Sequence, residues 1–248
     1  MLTPLPGVIT PTHKTLMRLV AEAARMHGFP SLHLEGGTAL SAYFIGHRES
    51  EDLDFFGDPD FHALGFIALL APVLEQAGFV LETVGSPSPF HARALAHEAG
   101  SGTVIKLDLG AGSSFQLAPR EPTSEVITVA SYRDLCAGKL HAICDRFEVR
   151  DFIDLHAILT RPDAQGSTPP SGEVHRRARA IIVDLIQSDP GLDPAIIGAA
   201  VANGRGRGIL QAFPLRLLHD YDESAIQQSI RVVLEACADL TDPRLPAL

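Results

Sequence analysis

The stretch RPDAQGSTPPSGE, residues 161 to 173, divides the chain into two kinds of pattern. It holds three prolines and two glycines with no periodicity, the composition of a linker or long loop. Before it, apolar runs of strand length alternate with runs of helical period. After it only helical patterns appear. A chain written this way predicts an α/β (α+β) domain over 1–160, a mixed sheet flanked by helices, followed by a helical domain over 174–248.

The elements can be placed from period and punctuation. Leu16, Leu19, Val20 and Ala23 fall at helical spacing between Thr12 and His27, and Gly28 is positioned to end that helix. A short strand follows over Leu32 to Leu34 and breaks at Gly36-Gly37. Thr38 is expected to cap a brief helix from Ala39 to Ile45, closed by Gly46. Strands are predicted over Asp52 to Phe56, Phe79 to Val84 and Thr103 to Leu109, with a helix from Phe61 to Ala77. In the last strand Ile105, Leu107 and Leu109 share one face and Lys106 and Asp108 the other. Helices over Tyr132 to Arg146 and Asp151 to Leu159 complete the first part. Those over Val174 to Gln187, Pro194 to Ala202 and Ser224 to Leu240 form the second.

Composition bounds the function. Hydrophobic residues are 46% of the 248 and charged residues 20%, as in ordinary globular proteins. No apolar run reaches the length of a membrane span, and the N-terminus lacks the basic, apolar and small-residue regions of a secretory signal. The three cysteines show no metal-type spacing and read as reduced core residues, so a cytoplasmic location without membrane contact is expected. The net charge of −10 argues against a general nucleic-acid coat protein, though not against a local basic groove. The eleven histidines are scattered and offer no ligand spacing.

The chemistry concentrates in LEGGTALSAYFIGHRESEDLDFF, residues 34 to 56. Asp52 and Asp54 are separated by one residue on a strand, so both carboxylates lie on one face. Like charges held that close need an offsetting partner, and magnesium takes such hard oxygens while leaving positions for phosphate. An isolated D-x-D is more often a strand end with two solvated acids. Here, however, a strand runs into Gly36-Gly37-Thr38 and a helix, exposing backbone N–H groups where an anion can approach closely. Asp108 either adds a third carboxylate or simply shares an outer strand face with Lys106. In DLCAGKLHAICDR, Lys139, Ala142 and Arg146 line one helix side, which places Lys139 to reach a triphosphate and Arg146 to support it or pin an acid. Arg150, Asp151 and Asp154 follow in RDFIDL.

The glycine turn, short helix and D-x-D strand resemble the core signature of the DNA polymerase β-like nucleotidyltransferase superfamily. With K-x-x-A-x-x-x-R and R-D-x-x-D-L added, four motifs in order between Leu32 and Leu159 resemble the AbiEii/AbiGii toxin family, MenT-like enzymes included. That resemblance implies a toxin of a type IV toxin–antitoxin or abortive-infection system that transfers a nucleotide from an NTP, with RNA or tRNA as acceptor and a cognate antitoxin protein as partner. It implies Mg2+, with Mn2+ as a substitute. It places Gly36, Gly37, Thr38 and Ser50 at the phosphates, Asp52 and Asp54 on the metal with Asp108 as a third ligand, and Lys139 on the triphosphate. Either Asp151 or Asp154 would orient Lys139 or help activate the attacking hydroxyl. GGTAL has threonine where many relatives have serine, which keeps the hydroxyl. GRGRG (204–208) and the run His175, Arg176, Arg177 with Arg179 are the candidate RNA-phosphate surfaces. The competing readings are transfer to a small molecule or protein, and a non-catalytic nucleotide-binding module.

Overall fold

The computed structural model describes residues 1–211 and 216–242. The chain forms two compact units, Met1–Ser131 and Tyr132–Leu248. The division falls earlier than the sequence predicts. The helices over 132–160 pack on later helices rather than closing the first unit, and the Pro/Gly-rich stretch is a loop inside the second unit.

The first unit opens with α1 (Pro11–Met26). Thr10 caps it by accepting from the His13 backbone, and proline stands at its start, where no N–H is needed. Gly28, at a φ of +83°, ends the helical path as expected. Then come β1 (His33–Glu35), α2 (Gly36–Leu40) continuing into a wider π-type turn (Ser41–Ile45), and β2 (Asp52–Gly57). They are followed by α3 (Ala63–Gln76), β3 (Phe79–Val84), β4 (His91–Glu98), β5 (Val104–Ala111), β6 (Glu121–Pro122) and β7 (Thr128–Val129). The strands make one seven-stranded mixed sheet in the order β3-β4-β5-β2-β1-β7-β6. β2 runs parallel to β5, while β1 and β4 run antiparallel to their neighbours β2 and β5.

The alternation within the strands sorts the sheet into two faces. Leu34, Leu53, Phe55, Ala92, Ala94, Ala96, Ile105, Leu107 and Leu109 are buried on one face. There α3 packs on β3, β4 and β5. The alanines at alternate positions of β4 leave room for that helix. The opposite face carries the charged residues of the same strands. β4 escapes prediction because HARALAHE is rich in alanine and lacks the β-branched residues that signal a strand.

The second unit contains α4 (Tyr132–Asp145), α5 (Val149–Thr160), α6 (Ser171–Ser188), α7 (Pro194–Ala202), a short 3-10 turn (Ile209–Gln211) and α8 (Glu223–Thr241). α6 packs on α4 and α8, and α8 on α5 and α7, so one helical core spans the unit. Among the described residues no helix is long and apolar enough to cross a membrane.

Candidate active site

On the first unit the site is built on the polar sheet face. Glu35, Asp54, Asp108 and Arg93 are successive register partners across β1, β2, β5 and β4. Partners directly opposite in a ladder project to the same side, so these four form one cross-sheet row. Asp52, Lys106 and Leu95 form the next. The Asp52 and Asp54 carboxylates therefore stand two residues apart on one face of β2, as the D-x-D spacing predicts.

Gly36 explains why the turn after β1 begins with glycine. It lies at a φ of +70°, and a Cβ there would overlap Asp54 Oδ2. The Asp54 carboxylate thus rests against bare backbone at the first turn of α2. A Cβ at Gly37 would likewise overlap the guanidinium of Arg48, which is buried.

Thr38 does not cap α2; the helix begins two residues earlier, with Glu35 at the cap position and no side-chain bond there. The buried Thr38 hydroxyl instead bonds Ser50 Oγ at 2.6 Å and the Asp52 carbonyl. Thr38 and Ser50 thus pin the entrance of β2 to α2, which fixes where Asp52 starts. Nearby, Ser41 donates to the Arg48 carbonyl at 2.5 Å, closing the buried loop between α2 and β2.

Cations surround the remaining carboxylates. Lys106 Nζ lies 2.5 Å from Asp52 Oδ2 and 3.4 Å from Asp108 Oδ2. Arg93 Nε donates to Asp108 Oδ1 at 2.8 Å, and that bond pushes the guanidinium pKa further up. His91 Nε2 is 3.6 Å from the same oxygen. Asp108 is therefore engaged by Arg93 and Lys106, and among the described residues no three acidic, histidine or cysteine side chains group as metal ligands. Asp108 shares the sheet face of Asp52 and Asp54, and its carboxylate is paired there with Lys106, two residues earlier, and with Arg93, directly opposite. The residues still suit a divalent cation. Asp52 and Asp54 offer hard oxygens side by side, the Gly36 cradle keeps room at Asp54, and magnesium is commonly held by one or two carboxylates together with substrate phosphates.

The second unit holds a different cluster. Lys139 on α4 is 6% exposed, and Asp151 and Asp154 on α5 are fully buried. Lys139 Nζ lies 3.1 Å from Asp151 Oδ1 and 2.6 Å from Asp154 Oδ2. Both acids hold the lysine, where the sequence left open which one would. Arg146 Nε adds a contact to Asp151 Oδ2 at 3.4 Å. Lys139 lies at the middle of α4 and Arg146 just past its last residue, and both reach Asp151 on α5, as their seven-residue helical spacing predicts. Of the RNA-surface candidates, Arg176 and Arg177 are paired with Glu173, and His175 and Arg179 approach Asp239. Arg207 stacks over the Phe147 ring at 4.4 Å.

Sequence reasoning missed Arg93, His91, Arg48 and the position of Lys106. The only signal was the Lys106/Asp108 alternation; the partners on β4 come from a strand that its composition conceals.

This sheet, with its glycine turn and paired strand carboxylates, has the fold of nucleotidyltransferases. The structure of MenT4, a nucleotidyltransferase toxin from Mycobacterium tuberculosis H37Rv, aligns with 93% of this chain and 84% of its own at a TM-score of 0.54 and 17% identity. JHP933 from Helicobacter pylori aligns with 92% of this chain and 89% of its own, at a TM-score of 0.49 and 16% identity. No match is found among curated proteins. The family described as "Nucleotidyl transferase AbiEii toxin, Type IV TA system" matches residues 18–194, and the chain belongs to that family. It is a nucleotidyltransferase.

Proposed function

We propose that the protein transfers a nucleotide from an NTP to RNA, with tRNA as the favoured acceptor, as the magnesium-dependent toxin of a type IV toxin–antitoxin or abortive-infection system in the cytoplasm. The observation that carries this reading is the pair Asp52 and Asp54 on one face of β2, with Asp54 seated against the glycine turn. In this reading Asp52 and Asp54 hold the metal, which lowers the charge barrier at the phosphates. Gly36 and Gly37 let the triphosphate approach the backbone, and Thr38 and Ser50 set the entrance of β2. Lys139, kept in place by Asp151 and Asp154 and supported by Arg146, is the triphosphate-binding cation. The nucleotidyltransferase domain then extends in function through residue 160, with 174–248 as an accessory helical domain.

The reaction is in-line attack by an acceptor hydroxyl oxygen on the α-phosphorus. The bond from that phosphorus to the bridging oxygen of the β-phosphate breaks, pyrophosphate leaves, and the hydroxyl proton passes to solvent or a carboxylate. Positioning and electrostatics supply the rate. Incubating the protein with each labelled NTP, Mg2+ and total tRNA tests it. Label on tRNA is expected. Label on protein or small molecules alone would move the acceptor to another class, and no transfer to any acceptor would overturn the reading. Growth arrest on expression, relieved by an adjacent gene product, is expected for the toxin role.

A further inference from the structure

The Lys106 ammonium lies between two carboxylates of the site, 2.5 Å from Asp52 and 3.4 Å from Asp108. We propose that Lys106 is a fixed substitute for a second metal ion, so that the site works with a single divalent ion on Asp52 and Asp54. This rests on the nucleotidyltransfer reading above.

Three features carry it. β5 lies between β2 and β4 and is bonded to both, so the ladders fix the Lys106 backbone directly opposite Asp52. The side chain is three-quarters buried, which limits where its ammonium can go. Asp108, the carboxylate a second ion would need, also receives Arg93 from the other side at 2.8 Å. A magnesium ion demands near-octahedral oxygen ligands at about 2.0–2.1 Å, so sharing Asp52 and Asp108 would require expelling Nζ. An ammonium is a compact point charge with three donors and does the electrostatic part of that work without leaving. In two-metal sites the ions hold the attacking and leaving oxygens; here Lys106 holds Asp52 in position and adds positive charge on that side of the site.

The test counts Mn2+ bound to the full chain by electron paramagnetic resonance, with Mn2+ alone and with a saturating α,β-methylene NTP analogue. Wild type is expected to bind one Mn2+ through its side chains, and Lys106→Gln to gain a second at high Mn2+. Two such ions in wild type, or a Lys106→Gln protein that folds and still takes one, would overturn the proposal while leaving nucleotidyltransfer intact. No bound Mn2+ in wild type would instead remove the metal site on which both readings stand. If Lys106→Gln does not fold, Lys106→Arg replaces it: one ion is expected, and a second would overturn the idea.

Discussion

On the sheet, Asp52, Asp54 and Asp108 keep part of their surface in water, whereas Asp151 and Asp154 on α5 keep none. Both clusters combine carboxylates with a lysine, yet they solve different problems. The strand carboxylates are spread along a sheet face, where a ligand can reach them and where Lys106 and Arg93 limit their mutual repulsion. The helix carboxylates are closed over a single lysine, and their oxygens serve to hold its ammonium. Burying charge is costly unless every partner is present, so the second cluster is a structural commitment as much as a functional one. The strand carboxylates stay accessible, while Asp151 and Asp154, which position Lys139, are buried.

Substitutions separate these two roles. Asp54→Ala is expected to lower nucleotide transfer by about a thousandfold or more while leaving the thermal unfolding midpoint nearly unchanged; full transfer with labelled NTPs would end the assignment of β2. Asp154→Ala leaves the buried Lys139 with Asp151 alone, and denaturant unfolding should register a loss of roughly 2–3 kcal/mol, below the cost of a wholly uncompensated charge. A loss under about 1 kcal/mol would mean the pair is not a closed one. Lys139→Ala uncovers two buried acids in turn, so weakened nucleotide binding by that variant must be read beside its stability.

Gly36→Ala adds a methyl that overlaps Asp54 Oδ2 and strains a left-handed residue. It is expected to cost about 1–2 kcal/mol and to reduce transfer more than Gly37→Ala does, since the latter meets only the end of the flexible Arg48 side chain. Equal activities would show that Asp54 need not rest on that turn.

The smallest effect concerns pH. Burial pushes the His13 imidazole below its usual 6.5. The unfolded chain therefore binds the proton first as pH falls, so the stability contributed by neutral His13 is complete above about 6.5 and is lost as pH falls through the lowered folded value. Urea midpoints at several pH values should show this slope flattened in His13→Gln; an unchanged slope would place its source elsewhere.

Much of this was legible because local rules govern it. The D-x-D period puts two acids on one strand face, the glycine turn announces a close approach, and Gly28 and Gly46 end helical segments as their φ > 0 requires. Thr38 misled, since a threonine after glycines reads as a cap, while its hydroxyl is drawn to Ser50 and the Asp52 carbonyl by the packing of the following loop. The end of the first compact unit misled as well. A Pro/Gly-rich loop marks a break in secondary structure, but the unit boundary depends on which helices share a core.

The sequence by itself singled out the residues proposed for the chemistry: Asp52, Asp54, Lys139, Asp151 and Asp154, and the turn that precedes β2. The tertiary structure alone decided their company. Strand order and register set Lys106 and Arg93 beside Asp52 and Asp108, and helix packing closed two carboxylates over Lys139. Such pairings join residues far apart in the chain, and no periodicity within a segment encodes which strand or helix will lie against it.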